Sequence, residues 1–216
     1  MISAAFPHAD IPKSYTAAKS VLCEVGLGYE TIHVCKFDCA LFWGNYSNDT
    51  HCPECGTSRW KDVEGKKKVP HKVLRYFPII PRLQRFFASK EHSTDSRWHK
   101  EKRVAEKDVM RHPADGEAWK HFDNEYHWFA KDARNIRLGI ATDGFNPFGN
   151  MSSSYSMWPV FVIPYNFPPW MCMDQSNFMM SLLIPGKKSP GKEFHVFMQP
   201  LIADMMKLWG DRKSVV

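Results

Sequence analysis

The chain has 216 residues and a formal net charge of +6, a size that fits one large domain or two small ones. Apolar residues make up 44% of the sequence and aromatic residues 14%, so the chain can bury a core and is not intrinsically disordered. The first residues lack a basic start followed by an apolar run, and prolines interrupt the most apolar stretch, 156–173. We therefore expect a globular protein that is neither exported nor a partner of membranes.

In chain order, the first predicted element is a short amphipathic helix. Ser14 can cap its start, and Gly26 and Gly28 can end it. Residues 1–30 are therefore predicted to form an N-terminal helical lead-in.

Two close cysteine pairs follow within residues 31–65. Three residues stand between Cys35 and Cys39, two between Cys52 and Cys55, and twelve between the pairs. This spacing lets four thiolates close on one tetrahedral Zn²⁺, and Gly56 can adopt the positive φ that turns backbone N–H groups toward sulfur. The segment is predicted to be a zinc-ribbon-like module in which the metal is structural, because four protein ligands leave no open coordination position.

Other interpretations of the cysteines stay open at this stage. The four thiols could be free and buried, or paired as disulfides, although the missing secretion signal favours reduced thiols. His33 or His51 could replace one thiolate, but second-shell or surface imidazoles are the stronger expectation. Cys23 and Cys172 are expected to be small buried apolar residues.

The positive charge of the chain is concentrated in one central block. Residues 1–65 carry 5 basic and 8 acidic side chains, whereas Lys66 to Arg103 carry 12 basic and 3 acidic ones, interleaved with aromatic residues. This mixture suits phosphate contacts beside aromatic contacts, and a solvated helix face is the alternative. Residues 66–135 are predicted to be a basic helical connector, mainly helical over 81–126. The candidate nucleic-acid contacts are Lys66, Lys67, Lys68, Lys72, Arg82 and Arg85.

The composition of the sequence changes near residue 136, after which apolar runs are separated by proline and glycine. Alternation predicts strands over Leu138–Thr142, Tyr155–Ile163 and Phe178–Ile184. A helix should follow, with one apolar face formed by Phe194, Phe197, Leu201, Met205 and Leu208.

Asp143 stands at the end of the first of these strands, before Gly144, in a pair that is also a common turn signal. The stretch 137–149 that contains it resembles the signature of plant CACTA-type (En/Spm-like) DNA transposases, as do 110–119 and 165–171. The similarity runs from about residue 11 to residue 209, and the cysteine pairs lie where that family carries its zinc-ribbon-like segment.

The resemblance implies a nuclear DNA transposase with a ribonuclease H-like catalytic domain. In that family a set of carboxylates holds two divalent ions such as Mg²⁺, which activate the attacking oxygen and stabilise the leaving one. Asp143 matches the first of these ligands. The implied partners are the transposon ends and further copies or other transposase subunits.

The sequence departs from this pattern after the last predicted helix, because no fourth strand with a second carboxylate follows it. Asp174, Asp204 and Asp211 match no family ligand, and Asp204 is expected to be a solvated charge. The predicted architecture is α+β: the zinc-ribbon-like module, the helical connector, and a partial ribonuclease H-like domain of three strands and one helix over 136–216. We expect a truncated transposase that is inactive by itself. The alternative is a non-catalytic, zinc-dependent DNA-binding or protein-interaction module derived from a transposase.

Overall fold

The computed structural model describes residues 12–65, 68–148, 155–186 and 189–210. Its strands are β1 (Glu30–Val34), β2 (Leu41–Phe42), β3 (Lys72–Tyr76), β4 (Leu138–Thr142), β5 (Trp158–Pro164) and β6 (Met179–Ile184). Its helices are α1 (Tyr15–Glu24), α2 (Ile79–Ala88), α3 (Lys90–Asp95), α4 (Trp98–Glu101), α5 (Glu117–Glu125), α6 (His127–Lys131), α7 (Pro169–Cys172) and α8 (Phe194–Gly210). Short 3-10 turns occupy Gly44–Tyr46, Pro113–Asp115, Gln175–Asn177 and Gly191–Glu193.

The strands of the described residues form one antiparallel sheet in the order β2-β1-β3-β6-β5-β4. The mixed α and β content is as predicted, and β4, β5 and β6 confirm the three strands expected after residue 136. These strands do not form a sheet of their own, however, because β6 pairs with β3 at Arg75–Leu183 and Tyr76–Leu182. The prediction of a three-stranded unit is therefore corrected to a six-stranded sheet that includes the strands beside the cysteines.

The core lies against the middle strands of this sheet. β5 and β6 are almost continuously apolar because both of their faces are covered, and Val160, Val162 and Leu182 are fully buried. α8 packs on this core through Phe197 and Leu201, as its predicted apolar face requires. None of the described helices combines the length and the apolar character needed to cross a membrane.

The N-terminal helix follows its sequence signals closely. The N–H of Ala17 donates to the Ser14 hydroxyl oxygen over 3.1 Å, and Gly26 ends the helix with a φ of +72°. No residue of α1 is buried, so the expectation that Cys23 is buried is wrong, whereas Cys172 is buried as expected.

The segment predicted as a helical connector is only partly helical. It begins with β3, in which Leu74 and Tyr76 point into the core while Lys72 and Arg75 are less buried. Because Lys72 and Arg75 interrupt the apolar residues of this segment, its sequence does not show the alternation typical of a strand. Residues 103–112 also lie outside the helices, between α4 and the 3-10 turn Pro113–Asp115.

Candidate metal centre and nucleic-acid surface

The two cysteine pairs lie on tight turns that the local sequence dictates. Cys35 follows β1, and its N–H donates to the carbonyl oxygen of Ala40 over 3.0 Å, which closes the turn before β2. In the second pair the N–H of Gly56 donates to the carbonyl oxygen of Cys52 over 2.9 Å, with a φ of +69° at the glycine. This is the positive φ that the sequence predicted at Gly56.

The turns bring the four sulfur atoms together. The Sγ of Cys35 lies 3.3 Å from that of Cys39 and 3.5 Å from that of Cys55, and all four sulfurs lie within 4.8 Å of one another. Four thiolates at Zn–S distances of about 2.3 Å would stand about 3.8 Å apart, so the cluster fits a tetrahedral ion such as Zn²⁺. Among the described residues, this is the only group of three or more side chains that could hold a metal.

The surroundings of the sulfurs favour bound thiolate. The N–H of Phe37 points at the Cys35 sulfur over 3.4 Å, as expected of a backbone donor that stabilises a metal thiolate. Burial raises the pKa of Cys35 and Cys39, so without a cation these thiols keep their protons. Hydrogen bonds from Thr57 lower the pKa of the exposed Cys55 to about 6. A metal ion would supply the positive charge that the buried pair lacks.

The histidines near the cysteines lie outside the cluster. The Nδ1 of His33 accepts a 2.8 Å hydrogen bond from the Nε of Arg59, and His51 pairs with the Thr50 hydroxyl. Arg59 also donates to the carbonyl oxygens of Ser47 and Asp49, over 2.7 and 3.1 Å. This arginine therefore ties the loop after β2 to β1, a role that the surrounding sequence does not indicate.

The predicted nucleic-acid contacts fall into separate surroundings. Lys72 pairs with Asp38 over 2.6 Å beside the first cysteine turn, and Lys68 is exposed with its ammonium 5.8 Å from the Trp60 ring. Arg82 and Arg85 line a cleft beside the end of α1. The two remaining candidates, Lys66 and Lys67, lie outside the described residues. Contact of these six residues with nucleic acid stays a prediction.

Three aromatic residues of the basic block, Tyr76, Phe86 and Phe87, pack in the core. Tyr76 is 4% exposed, and Phe86 and Phe87 pack against the fully buried ring of Phe167. These rings are therefore not positioned to stack on bases.

Aromatic residues of α5 and α6 surround Arg137, the first residue of the 137–149 motif. Arg137 forms an ion pair with Asp123, and its guanidinium carbon lies 4.3 Å from the centre of the Trp119 ring and 5.1 Å from that of Phe129. Burial lowers the pKa of Arg137, and Asp123 opposes this change. These aromatic residues thus anchor the start of β4 through a charged group.

Asp143 lies at the exposed end of β4, an edge strand of the sheet. Its Oδ1 accepts a 2.7 Å hydrogen bond from the N–H of Gly144, which belongs to the predicted turn. No group of three potential metal ligands among the described residues includes Asp143. Asp174 caps the 3-10 turn Gln175–Asn177, and Asp211 lies outside the described residues.

Asp204 is not the solvated charge that was expected. Its Oδ2 accepts hydrogen bonds from the Tyr76 hydroxyl and, over 3.1 Å, from the N–H of Ile79 at the start of α2. Burial and Asp204 together raise the pKa of Tyr76. This carboxylate joins α8 to β3 and α2 and is not placed to hold a metal with Asp143.

The sheet separates the cysteine cluster from Asp143. The cysteines flank β1 and β2 at one edge, and β4 forms the other. Five strand spacings of about 4.8 Å place the outer strands about 24 Å apart along the sheet. A metal held by the cysteines is therefore too far away to act on a group bound at Asp143.

Comparison with known proteins identifies the part of the chain that contains Asp143. No curated protein and no solved structure matches the chain. The family model described as Transposase family tnp2 matches residues 107–215, a span that includes β4, Asp143 and α8. Because this match covers half of the 216 residues, the chain belongs to the tnp2 transposase family.

Proposed function

We propose that the chain is a CACTA-type transposase polypeptide that acts in the nucleus, binds the DNA ends of its element and serves metal-dependent strand cleavage and transfer. Membership of the tnp2 family over residues 107–215 carries this proposal. The matched span contains all three segments that resemble the CACTA signature, at 110–119, 137–149 and 165–171.

Asp143 is the residue that we assign to the chemistry. A carboxylate is the ligand that a hard cation such as Mg²⁺ prefers, and the edge of the sheet leaves Asp143 exposed to a substrate. One carboxylate cannot hold the two ions of an in-line phosphodiester cleavage. Because no second or third ligand joins Asp143 among the described residues, the rest of the set would come from elsewhere in the chain or from another subunit.

Zinc has a separate role in this proposal. Bound by Cys35, Cys39, Cys52 and Cys55, it would hold the turns that flank β1 and β2 and thereby stabilise the basic segment that follows them. With its coordination closed by four thiolates it would take no part in cleavage.

The isolation of Asp143 favours a second candidate function. A chain with one exposed carboxylate could act as a zinc-dependent DNA-binding or protein-interaction module without catalysis. In that case the family membership reflects descent, and the cysteine cluster and the basic surface carry the function.

A pair of assays on the purified full chain separates these functions. Nicking of supercoiled DNA is measured with and without Mg²⁺ for the wild type, for Asp143→Asn, and for Asp108→Asn, which removes the same charge from an exposed loop. DNA binding is measured by fluorescence anisotropy over a salt series. Nicking that needs Mg²⁺ and is lost only in Asp143→Asn supports the transposase. Binding without nicking supports the module, and the absence of both overturns the proposal.

A further inference from the structure

A cleft of about 330 Å³ lies between α2, α3 and the 3-10 turn Gln175–Asn177. Its walls are partly apolar. Its polar lining comes from Arg82, Arg85, Ser89, His92 and Ser176. The segments that meet here are far apart in sequence, so the cleft is a product of the tertiary fold.

The charge in this cleft is not balanced by the protein. No carboxylate belongs to the described residues that line it. The Nη2 of Arg82 donates to the carbonyl oxygens of Leu27 and Gly28, over 3.0 and 3.4 Å, and Arg85 donates to that of Val25 over 3.2 Å. Carbonyl dipoles satisfy part of a guanidinium but bring no negative charge. Burial lowers the pKa of Arg82, and no acidic group opposes this change.

Other shifted arginines of the described residues differ in this respect. Burial lowers the pKa of Arg137 and of Arg59 as well, but Asp123 opposes the shift of Arg137 and Asp49 opposes that of Arg59. Removing a guanidinium from water without an opposite charge nearby is unfavourable. Arg82 therefore stands out as a half-buried cation that no carboxylate of the described residues compensates.

The same cleft is lined by residues whose side-chain nitrogens lack a partner. The Nε of Arg82 and the Nδ1 of His92 are buried and have no hydrogen-bond partner among the described residues. The Ser89 side chain does not cap α3, although Ser89 is its N-cap residue. A ligand with negative charge and acceptor oxygens would balance the charge of the two guanidinium groups.

A larger cleft shows why basic lining alone does not select a site. Its volume is about 520 Å³, and its cations include Arg97, Lys100 and Arg134. Arg134 forms a 2.7 Å ion pair with Asp132, Arg97 lies 3.5 Å from Glu101, and Lys100 donates to two carbonyl oxygens at the end of α6. The carboxylates of that cleft already compensate much of its charge.

We propose that the cleft beside α2 binds a backbone phosphate of DNA. Arg82 and Arg85 would contact the phosphate oxygens through the guanidinium N–H groups that the carbonyls leave unused, and the Ser89 hydroxyl would complete the contact. A phosphate contact fixes the position of the duplex and carries no sequence information. This inference rests on the proposed DNA binding and assigns it a location.

The test measures the affinity of a fixed-sequence DNA duplex over a salt series. Arg85→Gln should weaken binding at every sequence and reduce the slope of log K against log salt by about 1. Arg134→Gln is the matched control, because it removes the same charge from the compensated cleft. Its slope should equal that of the wild type.

A second variant guards against an indirect effect through α1. Ser89→Asp places a negative charge at the rim of the cleft and removes none of the hydrogen bonds that Arg82 and Arg85 make to the residues after α1. It should weaken binding, whereas Asn124→Asp, which adds the same charge on α5, should not. Circular dichroism and thermal unfolding verify that each variant is folded.

The outcomes distinguish this inference from the function on which it rests. A wild type without salt-dependent binding overturns the proposed DNA binding itself. A wild type that binds while Arg85→Gln and Ser89→Asp match their controls overturns only the phosphate site. Weaker binding by Arg85→Gln alone also overturns it, because the arginine would then act by holding α1.

Discussion

His99 makes the stability of the fold depend on pH. The side chain is 5% exposed on α4, its Nδ1 lies 3.1 Å from the carbonyl oxygen of Ser96, and its Nε2 lies 3.3 Å from the Nη1 of Arg137. An arginine can only donate, so Nε2 accepts and the proton of the neutral ring resides on Nδ1. Burial first, and then the charge of Arg137, lower the pKa of His99 to about 4. Asp123, which pairs with Arg137, opposes this shift.

The direction and size of the effect follow from the two pKa values. In the unfolded chain a histidine has a pKa of about 6.5, so between pH 6.5 and 4 the unfolded state binds a proton that the folded state does not. The free energy of unfolding therefore falls as the pH is lowered through this window. Between pH 7 and pH 5, His99 alone should remove about 2 kcal/mol. Burial also lowers the pKa of His112, which adds to the fall in the same direction.

The variant His99→Gln isolates the contribution of this ring, because glutamine keeps an amide donor and acceptor but does not titrate. Urea unfolding at pH 7, 6 and 5 gives the stability of the variant and the wild type. The advantage of the wild type should shrink by about 2 kcal/mol between pH 7 and 5. His121→Gln, at an exposed position of α5, should show the same pH dependence as the wild type. If His99→Gln loses as much stability as the wild type over this range, His99 is not a buried neutral histidine.

Two further predictions concern the metal and the carboxylate on α8. Metal analysis should find about one equivalent of zinc, which Cys52→Ser loses with a fall in thermal stability and the exposed Cys23→Ser retains; full zinc content in Cys52→Ser would contradict the four-thiolate site. Asp204→Ala should lower the free energy of unfolding by about 1–3 kcal/mol in urea denaturation, because it leaves the Tyr76 hydroxyl and the Ile79 N–H without their acceptor. The exposed Asp62→Ala should change it by less than about 0.5 kcal/mol, and equal effects of the two variants would show that the Asp204 contacts do not stabilise the fold.

Strong local patterns made part of the fold predictable. The strands β4, β5 and β6 and the helix α8 were expected within a few residues of their bounds, since apolar runs between prolines and an apolar helix face are local properties. The cysteine cluster was predictable for the same reason. The spacing of Cys35, Cys39, Cys52 and Cys55 restricts them to two tight turns, and the fold only has to bring these turns together.

Long-range pairing lay beyond the sequence patterns. Nothing local says that β3 pairs with β6, and the charges of Lys72 and Arg75 concealed β3 itself. The partners of charged residues depend on the same long-range contacts. Asp204 was expected to be solvated because it lies on the polar side of its helix. Its carboxylate instead accepts a hydrogen bond from the hydroxyl of Tyr76, which is distant in sequence. Arg82 was predicted as a nucleic-acid contact from its place in the basic block, and the fold leaves it half-buried in a cleft.

Asp204 on α8 lies where the two halves of the sheet join. β1 and β3 pair along the whole of β3, whereas β3 and β6 register within the described residues only at Arg75–Leu183 and Tyr76–Leu182. Tyr76, one of these two residues of β3, is also the residue whose hydroxyl donates to Asp204. Through this bond, and through the Ile79 N–H, α8 spans the short join and links the strand beside the cysteine cluster to the core that positions β4. The strand beside the cysteine cluster and the core that supports β4 are therefore held together by this bond and by one shared apolar core.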